Sequence, residues 1–258
     1  MALLEIKSVA KNFGGLKALS NITVNVGKGE FVALIGPNGA GKTTLFNLIS
    51  RLLDLTSGEI IFEGKLLNKL NSWDIAKLGI ARTFQLIGTI GDVSVLENVL
   101  LGTEVLMDKR FLPFILRSPR TRNEERRALE KSKEILAFIG LENRMHEKAN
   151  VLPFGELRLL EIARAIVIEP KLLLLDESFS GLTIGESKLL ENKLREIHSK
   201  GITIFFIEHE MRVVRNLAQK IYVLNFGEIL TQGSPEEVIS DERVLEAYLG
   251  RYQDDIGD

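Results

Sequence analysis

The sequence has no cysteine, a single tryptophan and only 6 prolines in 258 residues. Without cysteine there are no disulfides and no thiolate metal sites, so stability has to come from packing. No stretch approaches the roughly 20 apolar residues that span a bilayer. The nearest apolar cluster, Phe111 to Leu116, is short and interrupted by Pro113. The start, Met1-Ala2-Leu3-Leu4-Glu5-Ile6, has no basic region ahead of an apolar one, so no signal peptide is expected. Neither sign of charge is in surplus: 33 basic side chains face 35 acidic ones, which excludes the strongly basic face of a dedicated nucleic-acid binder. There is no internal repeat and no low-complexity tract. What is present is 45% hydrophobic and 26% charged, the balance of a globular chain. Its length suits one large domain, or one with an embedded subdomain.

Hydrophobic periodicity divides the chain into three stretches. The first is rich in strands: Leu4 to Val9 and Ile22 to Val26 alternate at period two, and Gly58 to Gly64 reads as another edge of sheet. Phe31 to Ile35 is a continuous apolar run ending at a glycine turn, the pattern of a strand buried on both faces. Leu45 to Leu53 has helical spacing. The middle, 90–168, reads as a helical subdomain inserted in an α/β core: helices are expected over Val93 to Leu101, from a capping box at Thr121-Arg122-Asn123-Glu124 through Leu129 to Ile139, and over Glu156 to Ile168. In the last stretch the apolar strands Leu172 to Leu175 and Thr203 to Ile207 alternate with helices over Gly185 to Ser199 and Met211 to Ala218. That is the order of a parallel sheet covered by helices.

Gly36-Pro37-Asn38-Gly39-Ala40-Gly41-Lys42-Thr43-Thr44 matches G-x-x-x-x-G-K-[ST] and sits between the strand Phe31 to Ile35 and a helix opening at Thr44. The context matters because loop N–H groups and a helix N-terminus must converge on phosphate. Lys42 would reach the β and γ phosphates, Thr43 would ligate Mg²⁺, and Thr44 adds a phosphate contact. Downstream, the apolar Leu172 to Leu175 ends in Asp176-Glu177. Magnesium prefers hard oxygen ligands, which suits Asp176, while Glu177 is placed to orient or deprotonate the attacking water.

With these motifs and their order, the chain resembles an ABC ATPase nucleotide-binding domain, from end to end. The resemblance implies an α/β P-loop NTPase, with a parallel core sheet, an N-terminal antiparallel β subdomain and the helical insertion, as a single ATP-binding domain over 1–258. On their own, Phe13 reads as a core aromatic, Gln85 as a surface amide and His209 as a structural histidine. The resemblance assigns adenine stacking to Phe13, the metal- and water-sensing glutamine to Gln85 after Arg82-Thr83-Phe84, and a γ-phosphate contact to His209. It places the signature, which acts in trans on the partner's ATP, at Leu152-Pro153-Phe154-Gly155-Glu156, and the D-loop at Ser180-Gly181-Leu182-Thr183. The implied cofactors are ATP and Mg²⁺. The implied partners are a second ATPase subunit (identical or a paralogue), transmembrane permease subunits and an extracytoplasmic solute-binding protein, with no nucleic acid. The implied location is peripheral, on the cytoplasmic face of the membrane.

The signature departs most from the family's L-S-G-G-Q: only Leu152 and Gly155 match. Glu156 would repel phosphate if it pointed inward, so it is expected to point away. Ser178 stands where proline is usual, and Thr183, which opens a second capping box with Glu186, stands where Asp or Asn is usual. Lys11 to Leu19, Ala81 to Gln85 and Ala247-Tyr248-Leu249-Gly250 are most similar to the ATPases of branched-chain amino acid importers. Lipopolysaccharide-export and urea-import ATPases are also similar. A soluble ABC ATPase acting on ribosomes or DNA would carry paired domains or long basic or coiled-coil insertions, which this chain lacks. Within the insertion near 104–122, Lys109 to Arg117 is apolar with cationic flanks, and reads either as a lid on the helical part or as a permease contact.

Overall fold

The computed structural model describes residues 2–83, 88–104 and 119–254. Gln85 and the segment Lys109 to Arg117 lie outside the described residues. The first strands, β1 (Ala2–Phe13) and β2 (Leu16–Gly27), form an antiparallel hairpin. The strand β4 (Ser57–Phe62) pairs antiparallel with β1, and the short β5 (Lys65–Leu66) with β4, giving a four-stranded sheet in the order β2-β1-β4-β5.

A six-stranded sheet forms the centre, in the order β10-β9-β3-β8-β7-β6. Its members are β3 (Phe31–Ile35), β6 (Ile80–Arg82), β7 (Leu172–Asp176), β8 (Thr203–Ile207), β9 (Lys220–Asn225) and β10 (Glu228–Gly233). All neighbouring strands run parallel except the β9–β10 hairpin. The parallel core and the separate antiparallel sheet are therefore as the sequence implied.

The reason for the unbroken apolar runs is visible in the core. Successive side chains of a strand point to opposite faces. Phe31, Ala33 and Ile35 of β3 enter one hydrophobic cluster, and Val32 and Leu34 enter the other. Leu173, Leu175, Ile204 and Phe206 follow the first set; Leu172, Leu174, Phe205 and Ile207 follow the second. One cluster is completed by helices and the other by the antiparallel sheet and the helix α1 (Lys42–Ile49), so β3, β7 and β8 have no polar face.

The remaining helices are α2 (Ser72–Leu78), α3 (Val95–Thr103), α4 (Pro119–Ile139), α5 (Phe154–Ile166), α6 (Ile184–Ser199), α7 (Met211–Leu217), α8 (Pro235–Ile239) and α9 (Glu242–Asp254). The helices α3, α4 and α5 pack on one another. Several boundaries differ from the sequence expectation. The helix α1 opens at Lys42, not Thr44, because the left-handed Gly41 is its N-cap, and it ends at Ile49. Helix α4 is already running at Pro119, upstream of Thr121. Helix α5 starts two residues early, at Phe154, after Pro153. The expected capping box at Thr183 is present, and Ser94 with Glu97 forms another on α3.

Candidate functional site

Because β3, β8, β7 and β6 are parallel neighbours, the segments that leave their C-terminal ends emerge on one edge of the sheet. Register fixes their level: Leu34 lies opposite Ile207, and Ile207 opposite Asp176. This edge carries Gly36 to Lys42 after β3, Asp176-Glu177 at the end of β7, and Glu208-His209 after β8. It is where ligands bind in open α/β sheets.

In the loop, Gly36 has φ 150°, and a Cβ there would overlap the Leu224 carbonyl oxygen of β9, so no side chain fits. Gly41 has φ 106°, and a Cβ would lie 2.9 Å from the Ala18 carbonyl oxygen of β2. The Gly227 N–H donates to the Ala40 carbonyl at 3.0 Å, bracing the loop against the β9–β10 turn. The Lys42 ammonium is buried and donates to the carbonyls of Gly36 (2.8 Å) and Pro37 (3.0 Å), so it is curled under the loop. Asn38, Gly39 and Thr43 are exposed and Thr44 is half-buried, leaving the loop's rim and the start of α1 open to a ligand.

Asp176 is 1% exposed. One carboxylate oxygen, Oδ2, accepts from Arg82 Nη2 at 2.8 Å; the other, Oδ1, is buried and has no hydrogen-bond partner among the described residues. Burial pushes this carboxyl above its ordinary range, opposed by the hydrogen bond and charge of Arg82. A buried orphan acceptor is costly and fits a cation or its water. Among the described residues no three His, Cys, Asp or Glu side chains gather as a metal cluster. Magnesium suits such a sparse set, since it keeps waters and takes phosphate oxygens.

Glu177 is held at φ 50°, the left-handed region that costs a non-glycine residue on the order of 1 kcal/mol. Its N–H donates to the Ile207 carbonyl at 3.0 Å, pinning the turn across to β8. The side chain is thereby brought to His209, whose Nε2 is 2.6 Å from Glu177 Oε1. A carboxylate oxygen accepts, so Nε2 carries the proton. The strained turn thus joins an acid and an imidazole from two strand ends.

Sequence reasoning missed two residues here. Glu208 is buried and accepts from the N–H groups of Phe179 (3.0 Å) and His209 (3.3 Å), tying the exits of β7 and β8 together. Burial pushes its carboxyl up to about 7. Arg82 is the other. The available signal was a charged residue at the end of an apolar strand, but the partners lie far away in sequence.

The other expected residues occupy distinct places. Phe13 is exposed at the tip of the β1–β2 hairpin, with Lys11 Nζ 4.8 Å from its ring centroid. Leu152 is buried in the helical core. Pro153 is the N-cap of α5 and offers no capping side chain; in the first turn the Gly155 N–H donates to the Glu186 carboxylate instead. Phe154 packs on Gly181, and Arg158 lies 5.2 Å from its ring centroid. Gly155 is buried against the Glu186 carboxylate, which a Cβ would overlap. Glu156 faces Arg144, with Oε2 3.5 Å from Nε. Ser178 is buried, its hydroxyl 3.2 Å from that of Thr83.

Comparison with known proteins gives the family. Residues 19–180 match the family model described as ABC transporter, and residues 228–253 match that of the branched-chain amino acid ATP-binding cassette transporter. The high-affinity branched-chain amino acid transport ATP-binding protein LivG of Escherichia coli (strain K12) is 36% identical over 249 residues, 96% of this chain and 98% of that protein. The crystal structure of the ADP conformation of an ATP-binding cassette of an ABC transporter superposes with TM-score 0.84 at 32% identity, covering 97% of this chain and 99% of that one. A dimeric post-hydrolysis cassette bound to ADP and Pi gives 0.72 at 27% identity, covering 90% and 98%. A matched model over more than half the chain, and relatives aligned almost end to end, mean that the chain belongs to the ABC transporter family, among its ATP-binding cassettes.

Proposed function

We propose that this chain binds ATP with Mg²⁺ and hydrolyses it to ADP and phosphate, as the ATP-binding subunit of an importer of branched-chain amino acids. The observation that carries the reading is the convergence of Lys42, Asp176, Glu177 and His209 on one sheet edge. The N–H groups of 36–44 and Lys42 hold the phosphates. Thr43, Asp176 and Gln85 hold the magnesium ion, which when bound neutralises phosphate charge. Glu177 accepts a proton from the attacking water, and His209 orients Glu177 and contacts the γ-phosphate. Phe13 stacks on adenine. The helical subdomain 90–168 presents Leu152 to Glu156 to the ATP of a second cassette. With Pro153 in place of serine, the N–H groups that open α5 carry that contact, and Arg144 keeps Glu156 from repelling the anion.

Support for two cassettes comes from the dimeric structural relative, and support for the transported solute from the names of the sequence relatives. No helix among the described residues is long and apolar enough to cross a membrane. In this reading permease chains hold the subunit on the cytoplasmic face, and an extracytoplasmic solute-binding protein completes the importer. Replacing Glu177 by glutamine tests the chemistry. The variant should retain ATP binding, lose turnover by about 100-fold or more, and accumulate as a closed dimer on size exclusion with ATP. Normal turnover would remove Glu177 from the reaction. Recovery of permease chains and a solute-binding protein with the tagged subunit from solubilised native membranes would test the importer assignment.

A further inference from the structure

Arg82 is the last residue of β6, and its guanidinium is buried with 5% of the side chain exposed. It spans three elements. Nη2 donates to Asp176 Oδ2 at the end of β7 (2.8 Å), while Nη1 donates to Asn47 Oδ1 on α1 (2.8 Å) and to Ser50 Oγ at its C-terminal end (2.8 Å). The guanidinium carbon lies 5.7 Å from the centroid of the Phe46 ring, also on α1. The β6–β7 ladder, with Arg82 opposite Leu174, and the 3.2 Å contact of the Thr83 and Ser178 hydroxyls fix the distance over which Arg82 reaches.

We propose that Arg82 is a positioning residue for the magnesium-binding carboxylate of Asp176, setting it in register with the helix that begins at Lys42 and Thr43. The inference rests on the reading that Asp176 holds the metal. The rigid fork of a guanidinium lets one nitrogen take the carboxylate and the other take the helix, which a lysine ammonium cannot do in the same fixed plane. Because Oδ2 is taken by Arg82, Oδ1 is left as the acceptor that meets no donor among the described residues, and its direction is set by the clamp. Thr43 rides on α1, so the same clamp fixes the spacing of Oδ1 from the threonine hydroxyl. Partners that orient a metal's ligands are worth about 10–100-fold in metal affinity.

The test is binding of a fluorescent ATP analogue, first in EDTA and then in a magnesium titration, with the melting temperature measured alongside. Arg82→Lys should keep the metal-free nucleotide affinity within about twofold and raise the Mg²⁺ half-saturation by about 10–100-fold. Asn47→Ala, which leaves the ion pair intact and removes one anchor on α1, should raise it by a smaller factor and covers the case in which Arg82→Lys does not fold. Asp176→Asn reports on the underlying reading and should shift the magnesium dependence most. If Asp176→Asn shifts it while the Arg82 and Asn47 variants do not, the positioning role is wrong and the metal reading stands. If Asp176→Asn leaves it unchanged, both fall. Equal losses in EDTA and in magnesium, with a lower melting temperature, would reduce Arg82 to a structural tie and overturn the proposal.

Discussion

Replacing Glu208 by glutamine should flatten the dependence of folding stability on pH. In the folded chain burial raises this carboxyl from 4.5 to about 7, against the two N–H groups it accepts. The folded state therefore holds a proton that the unfolded chain releases between those values. Stability from this group is fully present below pH 4.5, falls as pH rises, and is gone above about 7. At roughly 1.36 kcal/mol per pKa unit, the loss across that window is about 3 kcal/mol. Glutamine cannot ionise, so the variant escapes the loss, but its amide donates where a carboxylate oxygen accepted, forfeiting one bond of about 1 kcal/mol. Wild type should be the more stable by about 1 kcal/mol near pH 4, below the range in which the unfolded carboxyl ionises, and the variant by about 2 kcal/mol near pH 8. Urea unfolding followed by circular dichroism at these two pH values checks the crossover. Parallel profiles for the two proteins would refute the assignment of the pH dependence to Glu208.

Gly36→Ala should abolish nucleotide binding and lower the melting temperature steeply, because its methyl would overlap the Leu224 carbonyl; a variant melting like wild type would mean that the loop relaxes freely. Thr183→Ala removes the acceptor for the Glu186 N–H at 3.3 Å and should cost about 1 kcal/mol, or about 2–4 °C in melting temperature, measured by calorimetry. Val32→Ala in β3 should cost about 2–4 kcal/mol in chemical denaturation, since the side chain is fully buried between the sheets.

The phosphate loop and the acidic strand end were legible from sequence because their chemistry is local. The motif 36–44 needs adjacent residues to wrap one anion, and Leu172 to Asp176 combines burial on both faces with a polar exit in a single pentapeptide. The α/β alternation was legible for the same reason, as periodicity is a property of neighbours. The helix starts were less so. Thr121 looked like a cap, yet α4 had already begun at Pro119, and α5 opens behind Pro153, which carries no capping side chain.

By itself, then, the sequence determined the order of strands and helices, the glycine-bearing loop and which residues are the candidates for the phosphate, metal and proton chemistry. Only the tertiary structure decided how these are held. Arg82 meets Asp176 across 94 positions, Glu208 meets Phe179 across 29, and Glu177 meets His209 across 32. Such contacts have no signature in composition or spacing. They come from the parallel register of β6, β7 and β8, which brings distant strand ends to one edge, and from burial, which obliges each charged group there to find a partner.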